Sequence, residues 1–161
     1  MVSRSRIVLL LAMALVAVPA LAQRRDVSAA ERARDAEQVV VGHVTSITPA
    51  WRTNDFGDRL IVSTVHVAVE ETLKGLAQPT VDVEVEGGTI GTLTLRVSDL
   101  EEFVPGDRAV FYLARNQRRA FVPHRRGLGL QRLDSRDRAR ENGAALDDIR
   151  REVRAGVGGA R

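Results

Sequence analysis

The sequence predicts a mostly β fold: a small closed or partly closed β-barrel of five to seven strands, with a short N-terminal helix and a C-terminal helix. Three observations carry that expectation. TVDVEVE (residues 80–86) alternates strictly, with Val81, Val83 and Val85 on one face and Asp82, Glu84 and Glu86 on the other, as in a strand wetted on one side only. Further β-branched runs recur between 39 and 133, separated by short turns containing Gly, Pro and Asp. Many short strands in one small chain are expected to close on one another, because closure removes exposed sheet edges.

The chain opens with MVSRSRIVLLLAMALVAVPALA, the pattern of a cleaved export signal. Arg4 and Arg6 supply the basic start, residues 7–18 the apolar run, and Pro19 with Ala20 and Ala22 the end that a leader peptidase reads. The apolar stretch is shorter than the ~20 residues that span a bilayer, so no membrane anchor is expected. Three segments follow: a signal over 1–22, a barrel with its leading helix over 23–133, and a basic helical tail over 134–161. The expected location is periplasmic or extracellular. The absence of cysteine removes lipoprotein anchoring, thiol catalysis and thiolate metal sites, and leaves the fold to stand on apolar burial and hydrogen bonding.

After the signal, Ser28-Ala29-Ala30-Glu31 has the form of a capping box and opens a helix expected over 29–37. VVVGHVTSI (39–47) reads as a strand in which Gly42 marks a bulge or the close approach of another backbone. TPAWRTNDFGDR (48–59) reads as a turn-rich loop. Residues 59–73 form a long strand, with Val65, Val67 and Val69 on one face and His66, Ala68 and Glu70 on the other. Gly87-Gly88 breaks the strand at 80–86, and 89–97 resumes the alternation with Leu93, Leu95 and Val97 aligned. In the connector at 98–105, Phe103 and Val104 are expected to plug the core. Pro105-Gly106-Asp107 turns into a buried strand at 108–114, followed by short strands at 118–123 and 128–133. From Ser135 onward the chain reads as polar and helical, and Leu146, Ile149 and Val153 make a narrow apolar stripe that docks on the barrel.

A pI near 10.4 suggests a polyanion binder, but the charge layout argues otherwise. Residues 39–114 carry eleven acidic side chains against five basic ones, and residues 115–161 carry thirteen Arg against six acids. Without Arg4 and Arg6 the mature chain nets only about +1. Nucleic acid is not an expected partner.

Candidate chemistry is sparse. His43, His66 and His124 are the histidines; imidazoles on neighbouring strands could hold zinc or copper, but none of their spacings places two on one turn or strand face, and separate surface positions are the preferred reading. Asn54-Asp55-Phe56-Gly57-Asp58 offers oxygen ligands without the alternation or terminal Glu of a calcium loop, and reads as a turn. Trp51 could stack a ligand, although covering the core is preferred. Gly87-Gly88-Thr89-Ile90-Gly91 lacks the Lys and the following helix of a phosphate loop and reads as hairpin chemistry. Ser63, Ser98 and Ser135 lack a nucleophile context. Asp99, Glu101 and Glu102 form a loop acidic cluster, and Arg115, Arg118, Arg119, Arg125 and Arg126 a basic surface around the late strands.

The order VVVGHVTSI, then VEETLKG at a strand end, then VEGGTIGTLTLRV, then FVPGDRAVFYLAR resembles a group of exported bacterial β-barrel proteins of unknown function. Gly106, Asp107, Val110 and Leu113 are its most specific part, and the resemblance covers residues 29–133. It implies an OB-like barrel of the netrin-like kind found in tissue inhibitors of metalloproteinases. Those inhibitors set an N-terminal cysteine on the catalytic zinc. This chain has no cysteine and its expected mature N-terminus is Gln23, so the resemblance implies the fold and not the activity.

The expected function is that of an exported, non-catalytic barrel binding a protein, glycan or envelope partner, with no cofactor, metal or catalytic residue. A protease-inhibitor-like role is the alternative, and a hydrolase acting through the acidic cluster or the histidines stands behind it.

Overall fold

In a computed structural model that describes residues 27–53, 56–98, 100 and 102–158, two strands of sixteen residues organise the fold. β1 (Gln38–Thr53) and β2 (Arg59–Lys74) form an antiparallel hairpin paired to its tip, where Thr53 stands opposite Arg59. β3 (Thr80–Glu86) adds to β2, β4 (Gly88–Ile90) and β5 (Leu93–Leu95) make a separate small hairpin, and β6 (Arg108–Arg115) returns to pair with the first half of β1. β7 (Phe121–Pro123) and β8 (Leu130–Arg132) both lie along the other side of β6. The ring β1-β2-β3-β7-β6-β1 is antiparallel except for one parallel pair, Val83 with Phe121. This is the expected mostly β fold, a ring of strands that makes a partly closed barrel.

Burial explains which strands alternate and which do not. Val40 and Val44 of β1 face the barrel interior with Val65, Val67, Val81, Val83, Val85, Phe111 and Leu113. Val39 and Val41 face the other way, together with Val110 and Tyr112, into a second cluster roofed by two helices. The runs VVV and AVFYL are therefore continuous because both faces of the sheet are covered there, whereas the outer face of β3 is wet and its sequence alternates. The roof consists of α1 (Ala29–Arg34) and α2 (Leu146–Gly158), which bury Ala29 and Ala33, and Leu146, Ile149 and Val153. The expected apolar stripe of α2 is thus in place. Among the described residues no helix is long and apolar enough to cross a membrane.

Several expected boundaries move. Residues 48–53, read as loop, continue β1: β6 pairs only as far as His43, so beyond it β1 has a free edge on which Pro49 leaves no ladder bond unmade. Asn54 and Asp55 of the expected turn lie outside the described residues, as does the expected signal at 1–22. The expected single strand at 89–97 is instead β4 and β5, folded back at Gly91 (φ +60°); Leu93 and Leu95 do not enter the core, and Leu93 is largely exposed. The strand expected at 118–123 starts only at Phe121, because Asn116 closes a turn with Ala120 and Arg119 takes a left-handed conformation. The strand expected at 128–133 shortens to β8 behind a 3-10 turn, Arg126–Gly129.

α1 stops before 37, since the Glu37 amide already bonds Leu113 on the way into β1; at its start the Ser28 hydroxyl does accept from the Glu31 amide at 3.1 Å. Residues 134–145 are not helical. Asp134 accepts from the Arg136 and Arg138 amides, and bridges join Leu133 to Ala139 and Arg138 to Ala145. Those two amides hold the Asp134 carboxyl below its ordinary value. Of the expected pair of core plugs, Phe103 is buried and stacks on Phe111, while Val104 faces water. Gly42 fulfils both expectations at once: the register slips there, and a side chain would strike the Ala68 carbonyl.

Candidate functional site

The ring is least closed between β3 and β7, and the reason is one residue. The pairing of β3 with β2 points the backbone groups of residues 83 and 85 toward β2 and those of 82, 84 and 86 toward β7. With Val83 opposite Phe121, the next ladder bond would run from the amide of residue 123 to the Glu84 carbonyl. Residue 123 is proline and has no amide, so the ladder ends. A cleft of about 210 Å³ opens at that seam. Val62, Val85, Leu100, Val122 and Pro123 floor it, while Glu84, Glu86, Asn116, Arg118 and Arg126 rim it, and Phe56 of the β1–β2 tip overhangs it.

Glu84 holds the walls of this cleft together. Its carboxylate, only 15% exposed, accepts from Arg118 Nη2 at 3.1 Å and from Asn116 Nδ2 at 3.3 Å, with Arg52 Nε at 4.0 Å. Arg118 also donates through Nη1 to the Thr53 carbonyl at 2.7 Å, tying the β6–β7 turn to the tip of the long hairpin. Arg126 faces Glu86 at 3.5 Å on the opposite rim. The cleft thus lies on the outer face of β2–β3 between two loops, apolar below and locally neutral around.

The basic surface expected over the late strands is largely matched by acids. Arg115 lies 3.6 Å from Glu37 with its guanidinium over the Phe121 ring, and Arg125 lies 3.8 Å from Glu31. With Arg118 and Arg126 also facing carboxylates, four of the five arginines of that surface have acidic partners among the described residues.

The histidines are in three separate surroundings. His43 Nδ1 lies 3.2 Å from Glu70, whose other oxygen accepts from Arg108 Nε at 2.7 Å. His66 Nδ1 lies 2.8 Å from Asp82, and its Nε2 is 3.3 Å from the Thr48 hydroxyl. His124 sits at the end of β7, where burial pushes its imidazole pKa down and the neighbouring Arg125 and Lys74 push it the same way against Asp35. Among the described residues no three metal-ligating side chains come together.

The Thr48–His66–Asp82 relay, which the sequence reading missed, has the order of a hydrolase triad. Its signal lies in pairing that only the register reveals: Thr48 is opposite Thr64, His66 opposite both Ser46 and Asp82. The relay is open to water, since Asp82 is 65% exposed, and β2 around His66 is paired along both edges, to β1 and to β3.

Ser63 is buried and donates to the Gly87 carbonyl at 2.7 Å. Gly87, Gly88 and Gly91 all have positive φ, as hairpin chemistry requires. Glu102 pairs with Arg96 at 3.0 Å, while Asp99 and Glu101 lie outside the described residues. Trp51 does not cover the core: it stands on the projecting half of the hairpin, 42% exposed, with the Arg59 guanidinium 5.1 Å from its ring centre.

No family model matches the chain, and no curated protein matches it either, so the reading of the site rests on its geometry.

Proposed function

We propose that the protein is an exported, non-catalytic binding domain that takes a protein, glycan or envelope partner at the β3–β7 cleft. The observation that carries this is the convergence of Arg52, Asn116 and Arg118 on Glu84, which joins three distant parts of the chain around an apolar depression. A wall fixed in that way preorganises a recognition surface, and a depression of about 210 Å³ suits a single anchoring group. Export is supported by residues 1–22, with their basic start, apolar run and small-residue end. The absence of the zinc-binding N-terminal cysteine weighs against protease inhibition by the netrin-like mechanism.

Replacing Phe56 by a photo-cross-linking phenylalanine analogue in the producing cell tests the reading. A discrete adduct is expected on illumination, and Glu84→Ala is expected to abolish it. No adduct, or one indifferent to Glu84, overturns the assignment. N-terminal sequencing of the exported protein is expected to begin at Gln23.

A further inference from the structure

Three residues are shared by two cavities at the seam. Leu100 lines the outer cleft and also a second cavity of about 210 Å³ at the mouth of the barrel, walled by Pro49, Val65, Leu95 and Phe103. Val85 and Glu86 line both as well. The outer cleft touches the outward side of β3 at Glu84, and the second cavity touches the inward side of β2 at Ser63 and Val65. A path between them passes around the edge of β3 that faces β7, the edge left without a ladder partner by Pro123. Leu100 stands on that path and packs against the interior cluster.

We propose that the seam admits one acyl chain of a single-chain anionic amphiphile, which displaces Leu100 and lies through both cavities. This rests on the binding reading above and names its ligand. Each cavity alone falls below the roughly 300–1,000 Å³ of small-molecule sites, but the two joined enter that range. Aliphatic walls, Val122 and Pro123 outside and Val65 and Leu95 inside, offer a chain burial, while Glu86, which lines both cavities, faces Arg126 at 3.5 Å. At the inner mouth, lined by Glu86, Arg96 and Glu102, the cation is Arg96, 78% exposed beside Glu102 at 3.0 Å. An ion pair so open to water is weak, and an anionic head replaces Glu102 on Arg96 at little cost. The side chain of a docked peptide would fill the outer cleft and leave the inner cavity empty.

The mature protein is titrated with N-phenyl-1-naphthylamine, which is then displaced by laurate, lysophosphatidylglycerol or dodecanol below their micelle concentrations. One probe per chain is expected, with both anionic amphiphiles displacing it better than dodecanol and Arg96→Gln removing that preference. The more potent of the two identifies a free carboxylate or a phosphate head as the natural source. Leu100→Ala is expected to bind about tenfold tighter, having less to expel, and Leu100→Trp and Val122→Phe about tenfold weaker at an unchanged melting temperature. Absence of saturable one-to-one binding in both the wild type and Leu100→Ala overturns the slot, as does equal binding by Leu100→Ala and the two filled variants. Persistent cross-linking from Phe56 with no amphiphile binding overturns the slot alone and leaves the binding domain standing.

Discussion

A side chain on Gly42 would place its Cβ 2.5 Å from the carbonyl oxygen of Ala68, closer than any packed pair of such atoms, and 2.7 Å from Val67 Cγ1. The bulge at this point turns β1 from its pairing with β6 into the free half of the hairpin. Because the obstacle is backbone, it yields only if the strands part. Gly42→Ala is expected to cost roughly 1–3 kcal/mol, read as a lowered urea midpoint. A variant as stable as the wild type would show that the two backbones are not locked at this distance.

Asp107 and Arg132 form an ion pair at 3.0 Å with side chains only 10% and 11% exposed, and the Arg132 guanidinium also lies over the Phe103 ring. Asp107 accepts from the Val104 amide as well. Asp107→Ala removes one carboxylate from a largely buried cation that also donates to the Glu102 carbonyl, and is expected to destabilise by roughly 1–3 kcal/mol. Thermal unfolding of this variant beside Asp107→Ala/Arg132→Met measures the pair: removing both partners should restore part of the loss.

Tyr112 is fully buried between the helices and the sheet, and its hydroxyl donates to Gln131 Oε1 at 2.6 Å. Burial pushes the phenol pKa up, so it stays protonated and donating across the accessible pH range. Tyr112→Phe leaves a buried acceptor unmet and is expected to cost roughly 1–3 kcal/mol by chemical denaturation. Tyr112→Phe/Gln131→Leu, which removes both ends, should cost less than the single change.

His124 gives stability a pH dependence of known sign. Its Nε2 is buried without a hydrogen-bond partner among the described residues, and its folded pKa is pushed below the ordinary 6.5 by burial first, then by Arg125 and Lys74. The unfolded chain therefore binds the proton more readily. The contribution is complete above about pH 7 and is lost as pH falls through 6.5 toward the lowered folded value. Urea midpoints at pH 7.5 and 5.5 should differ more in the wild type than in His124→Asn; identical differences would remove His124 as the cause.

The strands most legible in the sequence are those whose burial is simplest. β3 alternates because one of its faces is wet, and Val39, Val40 and Val41 run together because both faces of β1 are covered there. The α2 stripe was legible for the same reason, since Leu146, Ile149 and Val153 lie at helical spacing and are all buried. The far half of β1 was misread because Pro49 and the turn residues after Thr53 look alike in sequence; only the absence of β6 beyond His43 makes a proline tolerable in that strand. The cleft could not be read at all. Arg52, Glu84 and the turn carrying Asn116 and Arg118 are far apart along the chain, and Pro123 acquires its meaning only once Val83 is known to stand opposite Phe121.

The order of the ring also separates β1 from its second neighbour by a long stretch of chain. The β1–β2 hairpin is local and forms from residues 38–74, but β1 finds its second neighbour only when residues 108–113 are present. Until then Val40, Val44, Val65 and Val67 form an apolar sheet face with nothing over it. Closure of so long a loop is slow compared with hairpin formation, so the half-made ring is the species most exposed to aggregation. Refolding yield should therefore fall with protein concentration, and far more steeply in a chain truncated before β6 than in the complete one.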